Sequence, residues 1–357
     1  MLSIEEIQVS VTALLKSLIQ TPSFSGEENK TADLIGAFLE RYGVKYTRVN
    51  NNIIARSKNW DPKQKTLLLN SHHDTVKVVN GWTKDAFGAE VEDGKLFGLG
   101  SNDAGASLVS LLGSFVYFYE PDLKINIIIA ATAEEENFGP LGVKSILKTE
   151  LRDVDFGIVG EPTNMEMAIA EKGLLVIDGE ATGKAGHAAR KEGENAIYKA
   201  LIDIQKIEQF KFDKVSETLG ENVISVTQVN AGIQHNVVPD RCTFVIDFRV
   251  NDEYTLEEGF DVVQGFCESK LKARSFNNNP SGIDKDHPLV QAGKDLGIRQ
   301  FGSATLSDQA HMRFPTIKMG PGFSERSHTP DEFIKLEEIK GGVAGYIKFI
   351  EQLNNYF

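Results

Sequence analysis

Short apolar runs alternate with helical patterns through the first 160 residues. The runs Thr66 to Leu69, Ile125 to Thr132 and Val154 to Val159 are continuously apolar or rich in β-branched residues, which is typical of strands buried on both faces of a parallel sheet. Between them, Gly105 to Tyr119 and Leu141 to Thr149 show helical patterns. This alternation predicts a layered α/β domain with a mainly parallel sheet.

The pattern then changes to runs in which apolar and polar residues roughly alternate. Leu174 to Thr182, Val223 to Val229 and Arg241 to Val250 fit half-buried antiparallel strands. Helical patterns at Asn195 to Phe210 and Thr255 to Ala273 separate them. Two helices on one four-stranded sheet would make a compact α+β unit of ferredoxin-like type.

Beyond residue 280 the chain again resembles its first part, with a helix at Pro288 to Leu296, an apolar run at Thr316 to Met319 and a final helix at Leu336 to Asn354. We therefore predict an α/β domain that is interrupted by an inserted α+β domain. The predicted ranges are 1–164 and 275–357 for the first domain and 165–274 for the insertion.

Composition narrows the class of protein. Of the 357 residues, 41% are apolar and 25% are charged, which is typical of soluble globular proteins. The net charge of −13 repels phosphate backbones and anionic lipid, so we expect neither a nucleic-acid nor a membrane partner. Glu5 and Glu6 lie where a signal peptide is basic. Two cysteines form no disulfide framework, and we expect a cytoplasmic location.

Histidines and carboxylates come directly after the predicted strands, where open α/β sheets bind ligands. In chain order they are His72 and Asp74, Glu134-Glu135-Glu136, Glu161, and His328, with Asp103 in a glycine-rich segment before a helix. Imidazole and carboxylate are ligands of zinc and related metals. So many carboxylates would repel one another around one tetrahedral ion. The sequence therefore predicts two divalent ions that share a bridging carboxylate.

Each of these signals also has a purely structural interpretation when taken alone. The His-His-Asp segment is compatible with a capped turn, and three glutamates are compatible with a solvated helix start. Asp103 could cap a helix, and His187 could lie in a surface loop. The glycine-rich segment fails as a dinucleotide loop, because Asp103 stands where the third glycine belongs. The joint placement after successive buried strands favours the metal site.

These motifs resemble the two-zinc aminoacylase and carboxypeptidase family, which includes acetylornithine deacetylase, acetyl-lysine deacetylase and succinyl-diaminopimelate desuccinylase. The segments that resemble its motifs are Ser71–Val76 (G-H-x-D-x-V), Gly98–Asp103 (G-R-G-x-x-D), Thr132–Glu136 (T-x-D-E-E), Gly160–Pro162 (G-E-P), Gly186–Ile197 (the lid) and Gly320–Thr329 (the closing motif). Ser71, Leu99 and Glu134 depart from these patterns without removing a metal ligand.

The resemblance implies a role for each of these residues. His72 and Glu161 would bind one metal, Glu136 and His328 the other, and Asp103 would bridge them. Asp74 would accept the second ring N–H of His72, and Glu135 would be the general base on the attacking water. The ions would be zinc, with cobalt or manganese as alternatives.

The resemblance also implies that the inserted domain is a lid through which the protein forms a homodimer. His187 would then hydrogen-bond the oxyanion in the active site of the partner subunit. Asn236 and Arg249 resemble residues that hold the substrate, and a guanidinium suits a planar carboxylate.

The expected activity is hydrolysis of the amide bond of a small N-acyl amino acid, first of all N-acetylornithine. Alternatives are succinyl-diaminopimelate desuccinylase, a deacylase of N-succinylornithine, acetyl-lysine or acetyl-citrulline, a dipeptidase, and a single-metal aminopeptidase. A non-catalytic metal-binding protein is disfavoured, because a binding module has no need of a base such as Glu135.

Overall fold

The computed structural model describes residues 3–190 and 192–357. These residues form two compact units. The first holds the chain through Ile169 together with Ile283–Phe301 and Ser307–Phe357, and the second holds Ala170–Gly282 and Gly302–Leu306. The chain passes from the first unit to the second after residue 169 and returns at residue 283, whereas the predicted boundaries lie after residue 164 and at residue 275. The short segment 302–306 was not predicted to belong to the second unit.

The regular elements are numbered here in chain order. The α-helices are α1 Ile4–Ile19, α2 Asn29–Arg41, α3 Ala106–Tyr117, α4 Ala196–Gln209, α5 Leu256–Phe266, α6 Pro288–Asp295 and α7 Leu336–Asn354. The strands are β1 Tyr46–Val49, β2 Asn52–Arg56, β3 Thr66–His72, β4 Val91–Glu92, β5 Lys95–Phe97, β6 Asn126–Thr132, β7 Phe156–Val159, β8 Met167–Glu171, β9 Gly173–Thr182, β10 Gly186–His187, β11 Val223–Ala231, β12 Val237–Val238, β13 Arg241–Val250, β14 Lys270–Ala273, β15 Ser281–Gly282, β16 Gln300–Ser303, β17 Thr316–Lys318 and β18 Phe333–Lys335.

The main sheet of the first unit confirms the predicted α/β class. Its strands follow the order β1-β2-β6-β3-β7-β17-β8. The central strands β6, β3, β7 and β17 are parallel to one another, while β1, β2 and β8 pair antiparallel at the sides. The parallel centre brings the carboxyl ends of β3, β6 and β7 to one edge of the sheet.

Both faces of this sheet are covered, as its apolar strands predicted. Along β3, Leu67 and Leu69 pack into the larger core with helices α1, α3 and α7, whereas Leu68 packs into a smaller core on the opposite face. All three leucines are fully buried. Each such side chain contributes roughly 1.5–3 kcal/mol to folding, which fixes the register that places His72 at the end of β3.

The second unit has an antiparallel sheet in the order β11-β13-β9-β14. Residues of β9 alternate between buried and half-buried, and Leu175 and Ile177 share an apolar core with α4 and α5. Helix α5 begins with a capping box, in which Thr255 and Glu258 bond each other's backbone N–H groups. The described residues of the unit therefore include the two helices and the four-stranded sheet that were predicted, together with the short ribbon of β10 and β12.

Two predicted helices were wrong in extent. The helix predicted from Thr255 to Ala273 ends at Phe266, because the buried Asp203 carboxylate accepts the N–H groups of Glu268 and Ser269, and Lys270–Ala273 forms the fourth strand. The segment Leu141 to Thr149 forms only a 3-10 turn.

In that turn, the Ser145 hydroxyl donates to the carbonyls of Leu141 and Gly142 at 3.0 and 2.8 Å, a contact that competes with helical backbone hydrogen bonds.

Among the described residues, no helix combines the length and the apolar character needed to cross a bilayer.

Candidate metal centre

Three parallel strands deliver the central side chains of the candidate site. His72 is the last residue of β3, Glu135 and Glu136 follow β6, and Glu161 follows β7. Asp103 lies in a tight turn immediately before α3, and the peptide bond after it is cis. His328 comes from the loop after β17, and all of these residues belong to the first unit.

The two oxygens of Asp103 face two different histidines. Its Oδ1 lies 3.3 Å from His72 Nε2, and its Oδ2 lies 3.6 Å from His328 Nε2. On the first side, Glu161 Oε1 lies 3.7 Å from His72 Nε2. On the second side, Glu136 Oε2 lies 3.1 Å from His328 Nε2. The result is two groups of three potential ligand atoms with Asp103 in common, and within each group the atoms lie within 4.8 Å of one another.

These donors fit a pair of divalent ions. Each group offers one imidazole and two carboxylates, both of which are zinc-binding groups, and three protein ligands leave a position for water. Burial raises the pKa of Glu161 to about 8, and it also raises the pKa of Glu135 and Glu136 above the ordinary range. Neighbouring carboxylates add to these shifts. Bound cations would relieve this crowding and keep the carboxylates ionised.

The two candidate histidine ligands, His72 and His328, both face carboxylates. His328 donates a hydrogen bond to Glu136, and this contact, with the charges of Glu136 and Asp103, raises the pKa of His328 to about 9 against the effect of burial. Burial opposes protonation of His72, yet Asp103 and Asp74 outweigh it and raise its pKa. Metal ions would take the place of the protons on these rings.

The adjacent residues His72 and His73 have different roles in the structure. His73 is buried behind the site, with Nε2 at 2.9 Å from the carbonyl oxygen of Asn51 and Nδ1 at 2.9 Å from the hydroxyl of Thr31. Burial lowers the pKa of His73, so the ring is neutral. Both ring nitrogens are occupied, and only His72 faces the carboxylates.

Asp74 does more than the sequence predicted. Its carboxylate accepts the N–H groups of Glu135 and Glu136 at 3.0 and 3.1 Å and the hydroxyl of Ser25 at 2.7 Å. The Nδ1 atom of His72 lies 3.0 Å from the Asp74 carbonyl oxygen and 3.4 Å from its carboxylate. Asp74 therefore orients His72 mainly through its backbone, and its carboxylate holds the start of the glutamate loop.

The run of three glutamates splits into three positions. Glu134 has a left-handed backbone with φ of 55°, and its carboxylate accepts the N–H of Leu141 at 2.9 Å. Glu136 belongs to the second ligand group. Glu135 points to the centre, with Oε2 at 3.9 Å from His72 Nε2. Its 9% exposed side chain lies beside the ligands without belonging to either group.

Two buried carboxylates near the site were not predicted. Glu332 accepts the N–H groups of Gly100, Asn102 and Asp103. Burial and the charge of Asp103 raise its pKa to about 8. Asp308 accepts the hydroxyl of Thr132 at 2.8 Å, and burial raises its pKa to about 6. Neither residue comes directly after a predicted strand, and therefore the order of strands and polar residues in the sequence does not indicate that they lie near the site.

Comparison with known proteins agrees with this geometry. Residues 68–352 match the peptidase family M20/M25/M40 over most of the chain. The chain belongs to peptidase family M20/M25/M40. This M20 protein is thus a metal-dependent hydrolase of amides, and the predicted family resemblance is confirmed.

Relatives of this M20 protein include a desuccinylase and a deacetylase. Succinyl-diaminopimelate desuccinylase 2 of Ruegeria sp. (strain TM1040) is 27% identical over 365 residues, which cover 93% of this chain and 92% of the relative. Acetylornithine deacetylase of Proteus mirabilis (strain HI4320) is 26% identical over 361 residues and covers 92% of each chain.

Solved structures share the fold. An M20 metallo-carboxypeptidase of Sulfolobus solfataricus has a TM-score of 0.77 at 17% identity and covers 97% of this chain and 99% of that one. A dinuclear metal-binding peptidase of the M20 family from Bacillus subtilis has a TM-score of 0.70 at 15% identity and covers 97% and 98%.

The residues predicted to contact substrate lie in the second unit of this M20 protein. His187 is exposed on β10 and pairs with Val237 of β12, next to Asn236, whose carbonyl accepts the N–H of Ala188 at 3.1 Å. His187 and Asn236 thus share one small ribbon. Arg249 lies on β13, where its guanidinium donates to both oxygens of Asp247 at 2.7 and 3.0 Å.

Proposed function

We propose that this M20 hydrolase cleaves the amide bond of an N-acyl amino acid at a pair of divalent ions. The observation that carries the proposal is the Asp103 carboxylate, whose two oxygens face His72 and His328 on opposite sides. Together with Glu161 and Glu136, these residues would hold one ion each side of Asp103. The donor set suits zinc first, and cobalt or manganese next.

Two bound divalent ions would supply Lewis acidity, which polarises the amide carbonyl and favours ionisation of water. Glu135 would take the proton from the attacking water and give it to the leaving amine. Its position fits this role, because it lies beside both ligand groups. Burial and neighbouring carboxylates hold its pKa above the ordinary range, which suits a group that both accepts and donates a proton.

The second unit would complete the site. We assign His187 to hydrogen-bonding of the oxyanion and Asn236 to contact with the substrate, as the family resemblance implied. The shared ribbon of β10 and β12 supports a joint role for these two residues. Arg249 is assigned to the α-carboxylate of the substrate, although its contact with Asp247 would have to adjust when a carboxylate binds.

Two substrates stand first. N-acetylornithine is the one proposed from the sequence, and a relative with the name acetylornithine deacetylase supports it. N-succinyl-diaminopimelate is the second, because a relative of nearly the same coverage is a succinyl-diaminopimelate desuccinylase. The two differ in the amino acid and in the acyl group, and the succinyl chain carries a carboxylate that needs a hydrogen-bond donor or a cation in the pocket.

We also propose a homodimer formed through the second unit. On α4, Tyr198, Leu201 and Ile202 are exposed at spacings of three and four residues, so they form one apolar stripe. The adjacent strand β11 ends the sheet and exposes Val223 and Val229. An apolar helix face beside an open strand edge suits a self-complementary contact with a second copy.

A hydrolysis screen tests the proposed function. Purified enzyme loaded with zinc would be given N-acetylornithine, N-succinyl-diaminopimelate, N-succinylornithine, acetyl-lysine, acetyl-citrulline and a dipeptide. We expect kcat/KM for one N-acyl amino acid to exceed that for the dipeptide by about 100-fold or more, since pocket contacts separate such substrates. The Glu135→Gln variant, prepared in parallel, reports any contaminating hydrolase.

A higher kcat/KM for the dipeptide than for every N-acyl amino acid would contradict the proposal and indicate a dipeptidase. No turnover of any substrate at full metal loading would favour a binding protein.

A further inference from the structure

Two loops of the first unit carry two of the three candidate ligands of the second ion, and the third, Glu136, follows β6. The aspartate loop, residues 98–105, bears Asp103, and the histidine loop, residues 320–332, bears His328. We propose that Glu332 and Asn102 form a clasp between these loops and thereby position Asp103 against His328. The inference rests on the proposed two-metal function and adds two positioning residues to it.

Glu332 is the histidine loop's half of the clasp. Its Oε1 accepts the N–H groups of Asn102 and Asp103 at 2.8 and 2.9 Å, and its Oε2 accepts the N–H of Gly100 at 3.1 Å. The residue is only 2% exposed. Both carboxylate oxygens are thus committed to the backbone of the aspartate loop, so Glu332 is no ligand itself.

Asn102 is the aspartate loop's half. Its Oδ1 accepts the N–H of Phe323 at 3.0 Å, and its Nδ2 donates to the carbonyl oxygen of the same residue at 3.0 Å. The neighbouring Gly322 has φ of +89°, and a Cβ there would lie 2.3 Å from Asn102 Oδ1. The amide therefore fits closely against the histidine loop, and the two halves of the clasp point in opposite directions.

The clasp has a consequence for the ligands. Asp103 Oδ2 and His328 Nε2 lie 3.6 Å apart although their loops are distant in the sequence. His328 also has a left-handed backbone with φ of 59°, which costs of order 1 kcal/mol and must be held by its surroundings. Hydrogen bonds that hold a ligand in place typically contribute 10–100-fold to metal affinity. Glu332 supplies three hydrogen bonds to the backbone of the aspartate loop, one of them to the N–H of Asp103 itself.

Metal titration of the metal-free protein tests the clasp. We would measure zinc affinity by competition with a chromophoric chelator for the wild type, Glu332→Ala, Glu332→Gln and Asn102→Ala. Asp331→Ala is the matched control, because Asp331 also accepts two backbone N–H groups, those of Thr83 and Lys84, but from a loop without ligands.

We expect Glu332→Ala and Asn102→Ala to weaken zinc binding by about 10–100-fold, and Asp331→Ala to stay near wild type. Glu332→Gln should lie between, because its remaining oxygen can still accept the N–H groups of Asn102 and Asp103. Replacement of zinc by cobalt gives a second signal. The visible spectrum of the cobalt-loaded Glu332→Ala protein should differ from that of wild type, because the geometry at Asp103 has changed, while Asp331→Ala should match wild type.

Circular dichroism would first establish that each variant is folded. Wild-type affinity and an unchanged cobalt spectrum in folded Glu332→Ala would overturn the clasp and leave the two-metal function intact. Failure of both Glu332 variants to fold in excess zinc would assign the residue to the fold and also overturn it. A wild type that binds fewer than two ions would instead remove the proposed function on which the clasp rests.

Discussion

At the scale of single residues, position decides what each of three consecutive glutamates does. The left-handed backbone of Glu134 turns its carboxylate back to the Leu141 N–H, and the Asp74 carboxylate holds the N–H groups of the next two residues. As a result Glu135 reaches the centre and Glu136 reaches His328. Identical side chains thus become a loop anchor, a candidate base and a candidate ligand.

The first prediction concerns the base. Glu135→Gln should lower kcat by about 10²–10⁴-fold, because the amide cannot accept the water proton. Zinc content and the thermal unfolding midpoint should stay near wild type, since Glu135 belongs to neither ligand group. Glu134→Gln is the matched control, as its amide oxygen can still accept the Leu141 N–H. Retained turnover in Glu135→Gln would remove the residue from this role.

The second prediction concerns Asp308 and pH. Burial raises the pKa of Asp308 from 3.8 to about 6, so between these values the folded protein binds a proton that the unfolded chain has lost. This effect makes the metal-free protein less stable as pH rises from about 4 to about 6, and it stays constant above. Asp308→Asn removes the effect, which amounts to at most about 3 kcal/mol.

Denaturant unfolding of the metal-free wild type and Asp308→Asn variant at several pH values measures this contribution of Asp308 to the free energy of unfolding. The stability difference between Asp308→Asn and wild type should change in favour of the variant as pH rises from about 4 to about 6. A difference that is the same at every pH would show that burial does not raise this pKa.

The sequence could predict the ligands better than the residues that support them. His72, Glu136, Glu161 and His328 lie at or after the ends of β-strands, and the edge of a parallel sheet gathers the side chains at those ends. Glu332 acts through hydrogen bonds to backbone groups about 230 positions away, and backbone partners leave no trace in side-chain identity. For the same reason, the sequence could not show that the Asp74 carbonyl oxygen, and not only its carboxylate, orients His72.

At the scale of elements, α4 exposes apolar side chains to solvent, and β11 lies at an open edge of the sheet in the second unit. Ile202 is 52% exposed and Tyr198 is 67% exposed, on the helix face opposite to the buried Ala200 and Ile207. Strand β11 has only one neighbour in the sheet order. An exposed edge beside an apolar face is a liability in a monomer and is explained by a partner.

The third prediction concerns this surface. Tyr198→Lys combined with Ile202→Lys should convert a dimer into a species of 39.4 kDa, because two buried charges on each subunit would face the second copy. Light scattering after size-exclusion chromatography measures the mass. Val215→Lys is the control, since Val215 is 55% exposed outside these two elements. A dimeric double variant would place the interface elsewhere.

Elements were predictable where the local pattern and the tertiary structure agree. Helix α7 has the bounds Leu336–Asn354 that its apolar periodicity predicted. Strand β14 was missed because Lys270–Ala273 continues a helical pattern, and only the distant carboxylate of Asp203 ends the helix before it. Elements that depend on a contact far along the chain cannot be found from local periodicity.

At the scale of the whole molecule, the proposed dimer and the proposed role of His187 can be tested together. His187→Ala should lower kcat by about 100-fold or more, because one oxyanion donor is lost, while zinc content is unchanged. If His187 serves the partner subunit, mixing His187→Ala with Glu135→Gln chains creates dimers with one intact site. Random exchange would restore about a quarter of wild-type activity.

Activity that stays at the level of the separate variants, with mixed dimers shown by mass spectrometry, would mean that His187 acts within its own chain. Wild-type chains mixed with Glu135→Gln chains provide the matched control for subunit exchange.

The central claim is that Asp103 bridges two metal ions, and anomalous scattering tests it most directly. Crystals grown with excess zinc would be measured above and below the zinc absorption edge. We predict two anomalous peaks per chain on either side of the Asp103 carboxylate, one next to His72 and Glu161 and one next to Glu136 and His328. A single peak, or two peaks of which only one contacts Asp103, would contradict the claim.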